Sequence, residues 1–200
     1  MAKRVVDIVV SLCGVIVLAP LWMLVAVAVK LSSRGPVFHH AVRVGKDGEH
    51  FVVYKFRTMV ADASSTGPGI TGRGDPRVTQ LGRQLRRLKI DETPQLINVL
   101  RGEMSLVGPR PEDPRYVAGY TPEQLRVLTV RPGVCSPAVV KYRHEEALLD
   151  AADDPEGAYV RVILPDKLRM DLDYIDNRSL IGDLKILGLA FISVFARAAR

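Results

Sequence analysis

Two adjacent acids, Asp91 and Glu92, stand directly ahead of Thr93-Pro94-Gln95, and four cations, Arg83, Arg86, Arg87 and Lys89, precede them. Thr93 is a good N-cap and Pro94 a good first helical residue, and Gly102 is a plausible stop, so the acids are expected just before a helix N-terminus. Backbone N–H groups, the positive end of a helix dipole and nearby arginines together form an anion site. A carboxylate held there is favoured in its charged, nucleophilic form. Standing alone, such a pair also reads as ordinary first-turn partners of the dipole. Further along, Gly108-Pro109-Arg110-Pro111 is a rigid turn that fixes one arginine, and Arg131-Pro132-Gly133 is another. Near the C-terminus, Leu168, Leu172 and Ile175 mark the buried stripe of a helix starting near Pro165. Lys167, Asp171 and Tyr174 line the neighbouring face at i, i+4 and i+7. By itself, Lys167–Asp171 reads as a surface ion pair.

Elements must hold these groups in place. Pro36 to Val44 and Phe51 to Thr58 read as two strands joined by Gly45-Lys46-Asp47-Gly48, because Asp-Gly supplies the positive backbone angles of a tight hairpin. In the second strand Val52, Tyr54 and Phe56 form an apolar face, while Lys55 and Arg57 end the other, which alone reads as solvated. Residues 61–77 read as a surface loop rich in Gly, Ser and Pro. Their Gly67-x-Gly69-x-x-Gly72 lacks the strand-turn-helix context of a dinucleotide fingerprint. A helix is expected from Thr79, with Leu81, Leu85 and Leu88 on one face.

No residue from Ile8 to Val29 is charged. A straight helix over that run would be ~33 Å long, enough to cross the ~30 Å hydrocarbon core. Pro20 should kink or break it into arms of half-bilayer length. Lys3 and Arg4 before the run, and Lys30, Arg34, Arg43 and Lys46 after it, favour a hairpin that enters and leaves on the cytoplasmic side. A straight span and a signal peptide are the competing readings. Leu180 to Phe195 forms a second apolar stretch, either a buried helix or one lying in the membrane interface.

The chain has 200 residues, 48% of them hydrophobic, and yet a formal net charge of +6. That pairing suggests a membrane surface and anionic ligands. It shows no zinc pattern, RNA-binding aromatic motif or basic face with interleaved aromatics, which argues against nucleic acid. The two cysteines, Cys13 and Cys135, exclude a disulfide framework and fit a reducing compartment.

Tyr54-Lys55-Phe56-Arg57-Thr58-Met59, the run from Ile90-Asp91-Glu92-Thr93-Pro94 through Gly108-Pro109-Arg110-Pro111, and Arg131-Pro132-Gly133 resemble the bacterial sugar transferase family, the monotopic polyprenyl-phosphate phosphoglycosyl transferases. The likeness extends from Lys3-Arg4 and Asp7 to Asp183. It implies a helix-rich α+β fold with an N-terminal re-entrant helix-break-helix, a short antiparallel β-hairpin and amphipathic interfacial helices. Residues 1–35 would be the membrane-embedded segment and 36–200 the cytoplasmic catalytic domain, at the bacterial inner membrane. The implied reaction moves a sugar-1-phosphate from a UDP-sugar to polyprenyl phosphate with Mg²⁺. Asp91 would attack the β-phosphate and release UMP, and Glu92 would support the metal or the proton transfer, so both acids are expected at the metal. Lys55, Arg86, Arg110 and Asp171 match positions that the family uses around the phosphates and metal, and Arg57 is placed with them as substrate-binding. Membrane lipids are expected partners, and a homodimer is left open.

Departures from the family pattern are Ala19 before Pro20, Thr93 for the usual Leu, Ala41 for Gln, His39-His40, and Val134-Cys135-Ser136-Pro137 for the commoner Ile-Thr-Gly run. The last of these bears on sugar choice, and none touches the acid pair. The alternative from another class is an inactive membrane-anchored scaffold that binds nucleotide sugars.

Overall fold

The computed structural model describes residues 2–63, 70, 72, 74–142 and 145–198. Gly67 and Gly69 of the glycine pattern lie outside them. The elements run α1 (Ala2–Ser32), β1 (Phe38–Val44), β2 (His50–Phe56), α2 (Gln80–Arg87), α3 (Gln95–Arg101), β3 (Ser105–Val107), α4 (Pro114–Val117), β4 (Gly133–Cys135), α5 (Pro137–Lys141), α6 (Glu145–Asp150), α7 (Pro155–Ala158), α8 (Leu164–Asn177) and α9 (Leu180–Ala198). The fold is helix-rich α+β, with an apolar N-terminal helix and a short antiparallel hairpin.

The hairpin forms where Asp-Gly marks it. β1 and β2 pair antiparallel with Val42 opposite Val52 and His39 opposite Lys55, and Asp47 and Gly48 take φ of 57° and 81° in the turn. The expected apolar face holds for Phe56, which is buried against Val25, Val29 and Leu85, but not for Val52. Phe51 and Val53 are the residues of β2 buried in the main core, with Val99, Met104, Leu106, Val107 and Tyr174, whereas Val52 is exposed. Lys55 shares the alternation of Phe51 and Val53, so it points inward rather than to solvent. Asn98 of α3 holds the backbone edge of β2: its Oδ1 accepts from Tyr54 N and its Nδ2 donates to Val52 O, which clamps β2 against α3.

A second, parallel pair joins β3 to β4, with Ser105 opposite Gly133 and Val107 opposite Cys135. It brings the two rigid turns together: Gly133 N donates to Pro109 O at 2.7 Å, and Ser105 N to Pro132 O at 2.8 Å. A Cβ at Gly133 would lie 2.1 Å from Gly108 N, so only glycine permits this approach. Sequence periodicity had no means of pairing strands of three residues so far apart.

α1 is one continuous helix through Pro20, where a kink or a break was expected, so the break is absent. An interior proline removes one hydrogen bond, which a long helix with packing partners absorbs. One face is held by the rest of the molecule along its length. Asp7 accepts from Ser105 Oγ and Leu106 N, Arg4 donates to Val99 O and Leu100 O, and Lys3 pairs with Asp183 at 2.6 Å. Further along, Trp22 Nε1 donates to Thr93 Oγ1, and Val25 and Val29 pack with Phe56 and Leu85. The opposite face exposes Val5, Val9, Ile16, Val17, Leu24 and Leu31. α1 is long and apolar enough to cross a membrane by length and composition. α9 likewise carries exposed Ile181, Leu184, Leu189 and Ile192, with Asp183 buried beneath it.

Candidate active site

Asp91 and Glu92 sit in a 3-10 turn, Ile90–Glu92, between α2 and α3. α2 begins next to Thr79, where a helix was expected, and Thr79 caps it by accepting from Gly82 N. Thr93 does not cap α3: it has helical backbone angles, and its hydroxyl donates to Ile90 O while accepting from Trp22. The chain therefore turns before the helix, and the left-handed angles of Lys89 (φ 57°) make that turn. A non-glycine residue there is held by its surroundings against a steric penalty. Gly102 ends α3 at φ 88°, where the sequence places it.

Three of the expected residues converge on the acid pair. Lys55 Nζ lies 2.8 Å from Glu92 Oε1, Arg110 Nη2 lies 3.2 Å from the same oxygen, and Lys89 Nζ is 4.0 Å from Glu92 Oε2. Arg110's backbone N donates to Asp171 Oδ2 at 3.2 Å, which adds Asp171 from α8. Arg86 holds Thr58 Oγ1 through its Nε and contributes its field to Asp91. Arg57 is not brought to the acids. It is buried against the end of α1, with Nη2 donating to Val29 O, Ser33 O and Ser33 Oγ, while Nε and Nη1 are buried without a hydrogen-bond partner.

The charges divide unevenly. Burial works against ionisation of Glu92, but Lys55, Lys89 and Arg110 outweigh it and hold Glu92 well below the usual carboxylate range. Burial, with the adjacent Glu92 charge, pushes Asp91 up, and Lys55, Lys89 and Arg86 only partly oppose this. The stabilisation expected for a charged carboxylate thus falls on Glu92 in the unliganded protein, because Glu92 takes the cations. Asp91 is 7% exposed and its Oδ1 has no hydrogen-bond partner. Asp171, 3% exposed, also has an unpartnered Oδ1, and burial lifts its pKa to about 7. Unpartnered buried carboxylate oxygens are costly unless something completes them. Burial lowers the Lys55 pKa, against the pull of Glu92.

Lys167 is not on a solvated face. It is buried and pairs with Glu145 at 2.7 Å, so the Lys167–Asp171–Tyr174 face is more deeply buried than the Leu172 and Ile175 positions beside it. Sequence reasoning gave no role to Asn98, whose signal was a polar residue inside an apolar helix, and named Ser136 only within a run bearing on sugar choice, whereas it is fully buried and bonded to Asp171. Cys135 feels the charges of Glu92 and Arg110, and burial raises its thiol to about 11. Among the described residues, no cluster of three or more His, Cys, Asp or Glu has metal-binding geometry.

A family model described as "Bacterial sugar transferase" matches residues 1–197. The undecaprenyl-phosphate glucose phosphotransferase of Komagataeibacter xylinus is 42% identical over 98% of this chain and 36% of its own length. The UDP-glucose:undecaprenyl-phosphate glucose-1-phosphate transferase of Caulobacter vibrioides is 39% identical over 92% of this chain and 66% of its own. The exopolysaccharide production protein PSS of Rhizobium leguminosarum bv. phaseoli is 37% identical over 98% of this chain and 96% of its own. The chain thus spans about a third of the first relative, just under two-thirds of the second, and nearly all of the third.

Proposed function

The chain belongs to the bacterial sugar transferase family, and from that premise we propose that it moves a sugar-1-phosphate from a UDP-sugar to undecaprenyl phosphate through a covalent intermediate on Asp91. One observation carries the assignment of the nucleophile: Asp91 is buried with an unpartnered Oδ1 while its neighbour Glu92 absorbs Lys55 and Arg110. The relatives' names supply the substrate class.

In the first step an Asp91 carboxylate oxygen attacks the β-phosphorus. The bond from that phosphorus to the bridging oxygen breaks, and UMP leaves with the oxygen and its electron pair. In the second step an oxygen of undecaprenyl phosphate attacks the same phosphorus and the bond to Asp91 breaks, which restores the carboxylate. Splitting the transfer lets two mutually repelling phosphates use one site in turn. Lys55, Arg86 and Arg110 supply fixed positive charge around the phosphoryl oxygens. Glu92 holds Lys55 and Arg110 in register, and Asp171 fixes the backbone of Arg110.

The donor set fits Mg²⁺: the unpartnered oxygen of Asp91 beside the ionised Glu92 offers one or two hard ligands, and this ion commonly takes the rest from phosphate and water. When bound, Mg²⁺ would neutralise diphosphate charge and favour ionised Asp91. Residues 1–35 form the membrane segment in this reading, and residues 36–200 the catalytic domain on the cytoplasmic face. The ties at both ends of α1 to one body support re-entry. α9 lies in the interface by its exposed apolar face.

Membranes carrying the protein, incubated with radiolabelled UDP-sugars and undecaprenyl phosphate, should yield labelled lipid. Asp91→Asn should lower turnover by on the order of 10³ or more. Near-normal UMP release from folded Asp91→Asn would remove Asp91 from its role. A folded parent that transfers none of the UDP-sugars would favour the inactive-scaffold reading.

A further inference from the structure

We infer that a basic cleft at the start of α1 seats the phosphate of an anionic glycerophospholipid, an inference that rests on α1 lying in the membrane, which cysteine labelling tests independently. The cleft has a volume of about 330 Å³, and five cations line it: Lys3 and Arg4 from α1, Lys46 from the hairpin turn, Arg131 ahead of β4 and Arg178 after α8. Asp7 is the acid on its wall, and that carboxylate is turned inward, accepting from Ser105 Oγ and Leu106 N. Among the described residues, no carboxylate forms an ion pair with Arg4, Arg131 or Arg178. Lys46 pairs only with its exposed chain neighbour Asp47.

Part of this charge has a partner or a structural duty: Lys3 pairs with Asp183 at 2.6 Å and lies 4.0 Å from Asp7. Arg4 donates to Val99 O and Leu100 O, and Arg131 Nε donates to Gly102 O, so both close the C-terminal end of α3. Lys46 and Arg178 have no part in that closure, and their presence on the rim leaves an excess of positive charge that fold stability does not require. An anion completes it.

The surroundings choose the anion's source. Rim residue Arg4 adjoins exposed Val5, and Arg178 lies just ahead of exposed Leu180 and Ile181 at the start of α9. A phosphate in the cleft therefore has uncovered apolar helix surface beside it for acyl chains. Basic pockets between membrane-contacting helices on the cytoplasmic side hold anionic headgroups in this way. The cleft does not serve the acceptor. It lies at the C-terminal end of α3 and the acids at the N-terminal end, and a seven-residue helix separates them by about 10 Å.

Native mass spectrometry of the full chain, titrated with phosphatidylglycerol, with phosphatidylcholine of the same acyl chains and with inorganic phosphate, tests this. The parent should retain phosphatidylglycerol at roughly fivefold higher occupancy than phosphatidylcholine, with no displacement by millimolar inorganic phosphate. Lys46→Gln/Arg178→Gln should lose most of that preference, and Arg178→Lys should keep it. Equal retention of the two lipids by the parent overturns the inference without recourse to any variant. So does a preference that survives the double substitution. Displacement by inorganic phosphate would assign the cleft to a soluble phosphate and overturn the lipid assignment.

Discussion

Lys55 Nζ and Arg110 Nη2 approach the same oxygen of Glu92, at 2.8 and 3.2 Å, and Asp91 receives neither. The pair is therefore polarised before any substrate arrives, one acid fixed as an anion and the other held back by burial and its neighbour's charge. Such a pair titrates as a unit. If Asp91 must be ionised to attack, activity is lost as pH falls through its folded pKa, which lies above the ordinary aspartate value. Glu92→Gln removes the like charge and leaves Lys55, Lys89 and Arg86 acting on Asp91, all of which favour the Asp91 anion. The acid limb of kcat/KM should then move to lower pH, even as the maximum falls by about 10- to 100-fold. An acid limb that stays in place or rises would show that Glu92 does not set the ionisation of Asp91. At this scale the sequence was informative for Asp91, Glu92 and Arg110, which lie in one contiguous motif. Arg57 lies apart from them, because its partners, Val29 O near the end of α1 and Ser33 just beyond it, are reached through contacts that no local pattern encodes.

α1 reports the same lesson for elements. Its length, apolarity and basic flanks are read directly from the chain, and so are the hairpin and the Gly102 stop. Its anchoring is not, because Asp7 finds Ser105, and Trp22 finds Thr93, across long stretches of sequence. That pairing also explains why Thr93 fails as a cap: its hydroxyl is already committed. β2 buries side chains on both faces, Phe51 and Val53 in the main core and Phe56 against α1, which alternation within the strand alone does not reveal. With both ends of α1 fastened to one body, a straight crossing would pull that body apart, so the N-terminus should stay with the catalytic domain. A single cysteine at Ala2, in a background lacking Cys13 and Cys135, should be protected from an impermeant thiol reagent in intact cells. Pro20→Leu should straighten the helix and raise labelling. Strong labelling in the parent would place the N-terminus outside and end the re-entrant proposal.

The whole molecule joins a charged, buried acid site to a surface that water does not favour. The exposed side of α1 and the exposed side of α9 form apolar faces larger than isolated surface residues explain, while the catalytic groups gather at the N-terminal end of α3. This arrangement suits one soluble and one embedded substrate. Hard oxygen ligands and phosphates make Mg²⁺ the expected cofactor, so exhaustive EDTA treatment should abolish turnover and added Mg²⁺ should restore it. Full activity after EDTA would refute the metal proposal and leave the residue assignments standing. The central claim, transfer through Asp91, is tested most directly by supplying UDP-sugar without undecaprenyl phosphate. A covalent route releases about one UMP per enzyme in a rapid burst, with sugar phosphate retained on the protein, and Asp91→Asn shows neither. Direct transfer between the two substrates would release no UMP until the lipid acceptor is added, and that result would contradict the account.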